Sequence, residues 1–390
     1  MTLVPRPSPL LALIGVAVCA HVALAAARVT TSLYALSLHA SEFTVGTLIA
    51  LFAVLPMLFA VAMGRLIDRI GVFRPLRFGT LIGSAGVLVA AAVKSVAGLY
   101  VAAVLIGSGF MAIFIATQYA VGALLAGEEK TAGFAQLAIG FSVSAFIGPV
   151  IAGFTIDHAG HSTAFLVCSV FTLLAFAIAS GSTLRNLPVQ QSTQPRTGSS
   201  ALQLLGHREL RGLYFVGIIL AAAWDLFTFI VPVRGTQLGF SASTIGLILA
   251  CFSVATFTVR IAIPLFFRRY HAWRILSITL AAAALCYLLL PFAQQPLMMA
   301  AVAFALGLAL GSGQPNVLAL LHNAAPSGRG AEAIAIRASL GNLSSVSLPL
   351  AYGAMGAVLG PFAVFWGLSA LITFAIPVAA RRARLATTRR

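Results

Sequence analysis

Residues 38–54, LHASEFTVGTLIALFAV, recur 200 positions later as residues 238–254, LGFSASTIGLILACFSV. Leucine, serine, threonine, glycine, alanine, phenylalanine and valine stand at matching positions, and no gap is needed. Further identities at this offset run from Arg69 over Arg269 and Arg74 over Arg274 to Gly107 over Gly307. A single fixed offset that persists through several helices predicts a chain built of two copies in parallel orientation.

The composition is typical of a membrane protein. Of 390 residues, 60% are hydrophobic and only 8% are charged, whereas a soluble domain carries about 25% charged residues. One core cannot hide so many apolar side chains, so lipid is the predicted solvent. The net charge of +16 does not indicate a nucleic-acid partner, because the basic residues lie in short connections between apolar runs.

The sequence predicts no metal and no cofactor. The four cysteines lie in apolar segments without paired spacing, and the seven histidines are scattered along the chain. The chain contains neither a GxSxG elbow nor a phosphate-binding loop. We therefore expect a protein that is not an enzyme and is not powered directly by ATP.

Twelve apolar runs each approach the roughly 20 residues that about 30 Å of hydrocarbon requires. Their approximate spans are 10–35, 43–63, 76–93, 97–124, 134–156, 162–182, 212–232, 244–266, 274–292, 296–321, 334–357 and 361–380. The sixth and seventh runs are separated by a polar stretch of linker composition. We expect an all-α integral membrane protein with twelve transmembrane helices in two pseudo-symmetric six-helix bundles, 1–183 and 211–390, joined by a cytoplasmic linker at 184–210.

The distribution of basic residues predicts the orientation. Most of the 24 lysines and arginines fall in connections on one side of the predicted membrane, and the other side receives only Lys94 and Arg234. Positive residues favour the cytoplasmic side, so both termini are expected in the cytoplasm of a bacterium, with the chain in its inner membrane. A cleaved signal peptide ending near Ala25–Ala27 is the alternative. It would remove one helix from a matched set.

The segment Gly64-Arg65-Leu66-Ile67-Asp68-Arg69-Ile70-Gly71 follows the second run. It resembles the G-x-L-x-D-R-x-G loop signature of the major facilitator superfamily, and the resemblance extends over the twelve-helix chain. The family resemblance implies two bundles that rock around a central cavity to give alternating access. Gly64 and Gly71 would permit close helix contact and a tight turn, and Asp68 would act as a cytoplasmic latch, with Arg69 mainly setting topology.

A second motif is Gly148-Pro149 in the fifth run, followed by Gly153. It resembles the glycine-proline motif of exporters in the same superfamily and points weakly toward efflux, although such pairs also occur for plain helix packing. The arginine that many exporters carry in the fourth helix is absent, because Ala103 holds that place. A standard drug-exporter proton relay is therefore not expected.

Ionisable groups inside apolar helices are the strongest candidates for a functional site, since a charge near the bilayer centre costs about 2.5–3.5 kcal/mol. Asp225 is the one carboxylate well inside a predicted helix. His21 and Arg28 share a stripe on the first helix, and the 200-residue offset places Asp225 on the matching face of the seventh. We expect Asp225 to carry the coupling proton and Arg28 to face it across the cavity. Ordinary stabilisation of the bundle is the alternative.

Polar residues in other apolar runs complete the predicted binding site. Each is weak support alone, because such side chains also join helices to one another. Arg337 enters near a helix end, where snorkelling toward water is the simpler explanation. The candidates are Gln118, Tyr119, Trp224, Thr228, Gln314, Asn316 and Arg337.

Together these features predict a secondary active transporter that exports a small organic solute in exchange for protons. The basic residues of the cavity favour an anionic or zwitterionic substrate over a lone cation. A polyspecific exporter of cationic or hydrophobic drugs, an uptake porter of the same fold and, more remotely, a transporter-like sensor are the alternatives. The expected partners are the solute, the proton and the lipid bilayer, with the protein acting as a monomer.

Overall fold

The computed structural model describes residues 8–125, 127–185, 201–266, 271–324 and 330–387. Among these residues there are thirteen α-helices and one short 3-10 helix at Leu290–Phe292. The α-helices are α1 (Pro9–Ser37), α2 (Glu42–Ile70), α3 (Phe73–Ala92), α4 (Val96–Leu124), α5 (Gly127–Ala179), α6 (Ser182–Arg185), α7 (Ala201–Gly206), α8 (Arg208–Gln237), α9 (Ala242–Phe266), α10 (Ala272–Leu289), α11 (Pro296–Ala324), α12 (Gly330–Leu359) and α13 (Pro361–Thr387).

The predicted all-α class is confirmed, and each of the twelve predicted runs is covered by helix. Gly160 lies inside α5 with φ 81° and ψ 171°, so this long helix consists of two parts that correspond to the fifth and sixth runs. Within the described ranges, ten helices are long and apolar enough to cross a membrane, with α5 counted once and α12 not among them. Most of the predicted linker, 186–200, lies outside the described residues.

Local chemistry explains where several helices begin and end. Pro9 stands at the start of α1, and the Ser8 hydroxyl accepts a hydrogen bond from the Leu11 amide at 3.3 Å, as expected for an N-cap. Ser95 caps α4 in the same way. Gly71 follows α2 with φ 77°, a conformation that favours glycine. The tight turn predicted at Gly71 is confirmed.

The described residues divide into two compact units. The first unit combines 8–40, 51–185 and 241–246, and the second combines 41–50, 201–240 and 247–387. The start of α2 therefore packs with the second unit and the start of α9 packs with the first.

In the first unit, α1 packs closely against α5. The Ser144 hydroxyl donates to the carbonyls of both Gly140 and Val18, at 2.7 and 3.2 Å, and so ties the two helices together. A Cβ added at Gly148 would lie only 2.7 Å from the Ala25 Cβ. Small residues at this contact allow the two backbones to approach each other, as in other packed membrane helices.

The repeat in the sequence is also a repeat of contacts. Four glycines face the backbone carbonyl of a neighbouring helix, in two pairs 200 residues apart. The contacts are Gly46 with Pro349 and Gly246 with Pro149, then Gly107 with Phe52 and Gly307 with Phe252. Pro149 and Pro349 also differ by 200 positions, so the duplication extends to helices in which the sequence comparison did not trace it.

Candidate functional site

Asp225 lies on α8 in the second unit and is only 9% exposed. The Ser345 hydroxyl, from α12, donates a hydrogen bond to its Oδ2 atom at 2.6 Å. The phenol groups of Tyr287 on α10 and Tyr352 on α12 lie close enough to interact electrostatically with this carboxylate. The embedded acid is therefore enclosed by polar groups from two other helices of the same unit.

The two tyrosines beside Asp225 differ in their hydrogen bonding. Tyr287 is fully buried and donates its hydroxyl proton to the Ala223 carbonyl. The Tyr352 hydroxyl is buried and has no hydrogen-bond partner within the described part of the chain. An unsatisfied buried hydroxyl costs about 1–3 kcal/mol, so a group beside Asp225 remains available to a water, a proton or a solute.

Helices α8 and α12 keep a constant alignment along this site. Asp225 is bonded to Ser345, and Gly217 packs against the side chain of Arg337, so both contacts join residues that differ by 120 positions. Two parallel neighbouring helices with equal rise per residue produce such a pattern. Arg337 thus lies about 12 Å from Ser345 along the helix axis, from eight residues at about 1.5 Å each.

Arg337 is a partly exposed residue whose Nε atom is buried and has no partner among the described residues. The aliphatic part of its side chain passes 3.5 Å from the position of a Cβ at Gly217. The residue is partly exposed, so the snorkelling of its terminal nitrogens toward water stays a prediction. A guanidinium held partly inside a helix interface is suited to pairing with an anion.

The first unit contains the two basic residues predicted on α1. The His21 ring is packed against Phe110 and Phe141, with ring centroids 5.5 and 5.0 Å apart, and its Nδ1 atom is buried without a partner among the described residues. Arg28 is near enough to interact electrostatically with His21, and its backbone carbonyl accepts the Ser32 hydroxyl. Arg28 and Asp225 belong to different units, so their pairing stays a prediction.

Several predicted polar candidates have partners on their own unit. Trp224 packs edge-on against Phe252 at 4.7 Å, and the Thr228 hydroxyl donates to the Asp225 carbonyl at 3.0 Å. Gln118 is partly buried on α4. These contacts position the side chains, and a role in binding solute stays a prediction for each.

On α11 the two predicted polar residues point to different partners. The Gln314 Oε1 atom accepts a hydrogen bond from Arg260 on α9 at 3.3 Å. Asn316 is buried and donates to the Ser312 carbonyl at 2.8 Å. Gln314 is exposed, so of the two it is the one placed to meet a solute.

The loop motif is connected to α4 by a residue that was predicted for another purpose. The Tyr119 phenol donates a hydrogen bond to the Asp68 side chain, so both belong to one polar contact of the first unit. Arg69 is exposed. A Cβ built at Gly64 meets no atom of the described residues within 4 Å, so the close helix contact expected at this glycine stays a prediction.

The Gly148-Pro149 motif is explained by packing. Gly148 contacts α1, and a Cβ at Gly246 would overlap the carbonyl oxygen of Pro149. Pro349 makes the same contact with Gly46 in the second unit. Since both copies of the repeat use this arrangement, it does not by itself indicate efflux.

Two acids at helix ends were not predicted to have specific partners. The Asp157 carboxylate accepts hydrogen bonds from the Ala242 and Ser243 amides at 2.9 and 2.8 Å, and so caps the start of α9 within the first unit. Glu42 accepts a hydrogen bond from Gln237 at 2.6 Å within the second unit. Only their position at the ends of apolar runs gave a signal in the sequence.

Comparison with known proteins agrees with these features. The family model described as Major Facilitator Superfamily matches residues 13–296 and 213–387, and no curated protein sequence matches the chain. The fold is similar to a crystal structure of a peptide transporter POT in complex with sulfate, with 15% identity, a TM-score of 0.79, and 99% and 97% of the two chains covered.

Two further solved structures give similar values. A POT family transporter in complex with a thioalcohol conjugated peptide and one in complex with 5-aminolevulinic acid each share 14% identity, with a TM-score of 0.79. Each match covers 97% of this chain and 96% of the other. At this level of identity the likeness concerns the fold.

Proposed function

The chain belongs to the major facilitator superfamily and is a multi-pass secondary transporter, and we propose that it moves a small anionic or zwitterionic organic solute with proton coupling. The observation that carries the proposal is the buried Asp225 beside Ser345 and the unsatisfied hydroxyl of Tyr352. An ionised carboxylate in an apolar setting requires compensation, and binding a proton removes that requirement. Asp225 is therefore suited to exchange a proton when its surroundings change during transport.

Arginines inside apolar helices of each unit support a substrate with negative charge. Arg28 lies on α1 of the first unit, and Arg337 on α12 of the second unit has a buried Nε without a partner among the described residues. A buried cation is stabilised when an anion reaches it with good geometry. A carboxylate or phosphate on the solute would supply that anion, and an amino group could meet Asp225, which explains why zwitterions are included.

The direction of transport has two candidates, export and uptake. Export was predicted from Gly148-Pro149, but this motif makes a packing contact that Pro349 repeats in the second unit. Uptake is therefore the second candidate, and solved proteins of similar fold include one in complex with 5-aminolevulinic acid, itself a zwitterion. We place the protein in the inner membrane of a bacterium with both termini in the cytoplasm, as the charge bias favours.

The experiment begins with a ligand panel on the purified protein. Short peptides, amino-acid-like zwitterions, organic anions and a lipophilic cation are compared by thermal stabilisation, since a ligand stabilises the state that it binds. Solutes that bind are then tested for flux in proteoliposomes under a pH gradient of either sign. Accumulation toward the acidic compartment indicates exchange for protons, and accumulation toward the alkaline compartment indicates movement together with them.

Asp225→Asn tests the proton site. The variant is expected to lose flux driven by the pH gradient while keeping exchange of labelled for unlabelled solute. Glu209→Gln is the matched control, because Glu209 is an exposed acid on the same helix that pairs with Arg382 at 3.7 Å. Unchanged gradient-driven flux in Asp225→Asn would remove this residue from the mechanism.

The same panel separates the remaining alternatives. Binding of a lipophilic cation that survives Arg28→Ala but not Asp225→Asn favours a cationic-drug exporter over the proposed substrate class. Binding without flux under every gradient favours a sensor.

A further inference from the structure

The second unit contains a cavity of about 650 Å³ between α9, α10 and α11, and none of the candidate transport residues lines it. On α10 its wall consists of Ile275, Ile278, Thr279 and Ala282. These positions follow the i, i+3, i+4, i+7 spacing of one helical face. Arg274 lines the end of the cavity in the first turn of α10, where the helix enters the membrane.

The cavity lies where the two repeats differ in sequence. In the first unit, Gly79 on α3 faces Gly109 on α4 so closely that a Cβ at Gly79 would lie 2.8 Å from the Gly109 carbonyl oxygen. At the equivalent positions, 200 residues later, the second unit carries Thr279 and Ala309, and both line the cavity. Larger side chains hold α10 and α11 apart where glycines let α3 and α4 meet.

The polar groups in the wall of the cavity are already satisfied. The hydroxyls of Thr279 and Ser312 are hydrogen-bonded at 2.6 Å, and Ser312 also donates to the Ala309 carbonyl at 2.7 Å. Thr258 donates to the Val254 carbonyl at 2.9 Å. The interior therefore offers an apolar surface, and the guanidinium of Arg274 is the charged group at its end.

The face of α10 that lines the cavity also carries large exposed apolar residues. Ile278 and Leu285, seven residues apart, are 59% and 56% exposed. In a membrane-spanning helix such a face is in contact with acyl chains. Arg274 and Ala282 are eight residues apart, or about 12 Å along the helix. This length is close to one leaflet of a hydrocarbon core about 30 Å thick.

We propose that this cavity binds one anionic glycerophospholipid, with its phosphate on Arg274 and an acyl chain in the groove. The charge of Arg274 selects the headgroup, and the apolar wall selects the chain. A guanidinium has five N–H donors in a fork that matches phosphate oxygens, so a protein contact at Arg274 still leaves donors for a lipid. Basic residues at such a boundary attract anionic headgroups by about 1 kcal/mol each.

Lipid binding is measured on the purified full-length protein by native mass spectrometry and by thermal stabilisation. Phosphatidylglycerol and phosphatidylcholine with identical chains are compared, so that only the headgroup differs. The wild-type protein is expected to prefer phosphatidylglycerol, and Arg274→Gln is expected to weaken that preference about fivefold, which is 1 kcal/mol converted at 25 °C. Arg74→Gln is the matched control, because Arg74 is the repeat equivalent of Arg274 and does not line the cavity.

A second pair of variants tests the groove without changing charge. Ala305→Trp fills the cavity from α11 and is expected to lose the bound lipid. Ala301→Trp, one turn away on the same exposed face and outside the lining, is expected to keep it. Glycerol phosphate alone is expected to give no stabilisation, because it lacks the chain.

Four results would overturn the proposal. They are equal binding of the two lipids to the wild-type protein, an unchanged preference in Arg274→Gln, retention of lipid in Ala305→Trp, and displacement of the lipid by a transported solute. The last would assign the cavity to the transport pathway. These readouts are of binding, so their failure is separate from any failure of proton-coupled flux.

Discussion

Replacing Gly246 by alanine is expected to destabilise the first unit. A Cβ at this position overlaps the carbonyl oxygen of Pro149 and approaches the Gly153 Cα at 3.5 Å. Backbone atoms of a packed helix cannot rotate away as a long side chain can, so α9 and α5 must separate. Overpacking of this kind costs about 1–3 kcal/mol.

The substitution also stabilises the helix through the higher helix propensity of alanine, and this effect must be separated from the clash. Alanine is about 1 kcal/mol better than glycine inside a helix. Gly83→Ala on α3 measures this part alone, because a Cβ at Gly83 meets no described atom within 4 Å. We therefore expect Gly246→Ala to be about 1–3 kcal/mol less stable than Gly83→Ala. Gly46→Ala should match Gly246→Ala, since Gly46 faces the Pro349 carbonyl in the same way.

The assay is the unfolding midpoint of the three purified variants in one detergent at one scan rate, measured by differential scanning fluorimetry. Equal scan rates matter because unfolding of such proteins is often irreversible. A midpoint for Gly246→Ala at or above that of Gly83→Ala would show that the contact yields without cost. The reasoning from backbone overlap would then be wrong.

Three further predictions concern polar side chains. Asp157→Ala removes the cap of α9 and should cost about 1 kcal/mol of stability, with Asp157→Asn costing less; equal unfolding midpoints for both variants and wild type would refute the cap. Tyr119→Phe and Asp68→Asn should be coupled by about 0.5–3 kcal/mol in a double-mutant cycle, whereas additive effects on the midpoint would refute their contact. Tyr287→Phe should cost about 0.5–1.5 kcal/mol because it removes a buried hydrogen bond to the Ala223 carbonyl, and Tyr352→Phe should be neutral or stabilising; the reverse order of midpoints would contradict the assignment.

The candidate site could be predicted only in part. Asp225 was identified because an acid inside an apolar helix is rare and costly. Its partner Ser345 lies in a run of small polar residues, Ser344-Ser345-Val346-Ser347, that is ordinary for a membrane helix. The bond between them depends on the 120-residue alignment of α8 with α12, which the packing of two helices fixes. The contact of Tyr119 with Asp68 was not predicted, because periodicity identifies a helix face but not its neighbour.

The sequence by itself was enough to predict that the helices lie in lipid, where the apolar spans fall, that the chain is duplicated and which family motif it carries. Hydropathy, charge bias and a fixed offset are properties of the chain alone. Tertiary structure decided which polar groups meet, where glycines allow carbonyl contact and where Thr279 and Ala309 keep two helices apart. The physical reason is that burial of an apolar helix can be read from its side chains. The rotation and depth at which it packs depend on small differences in shape between residues far apart in sequence.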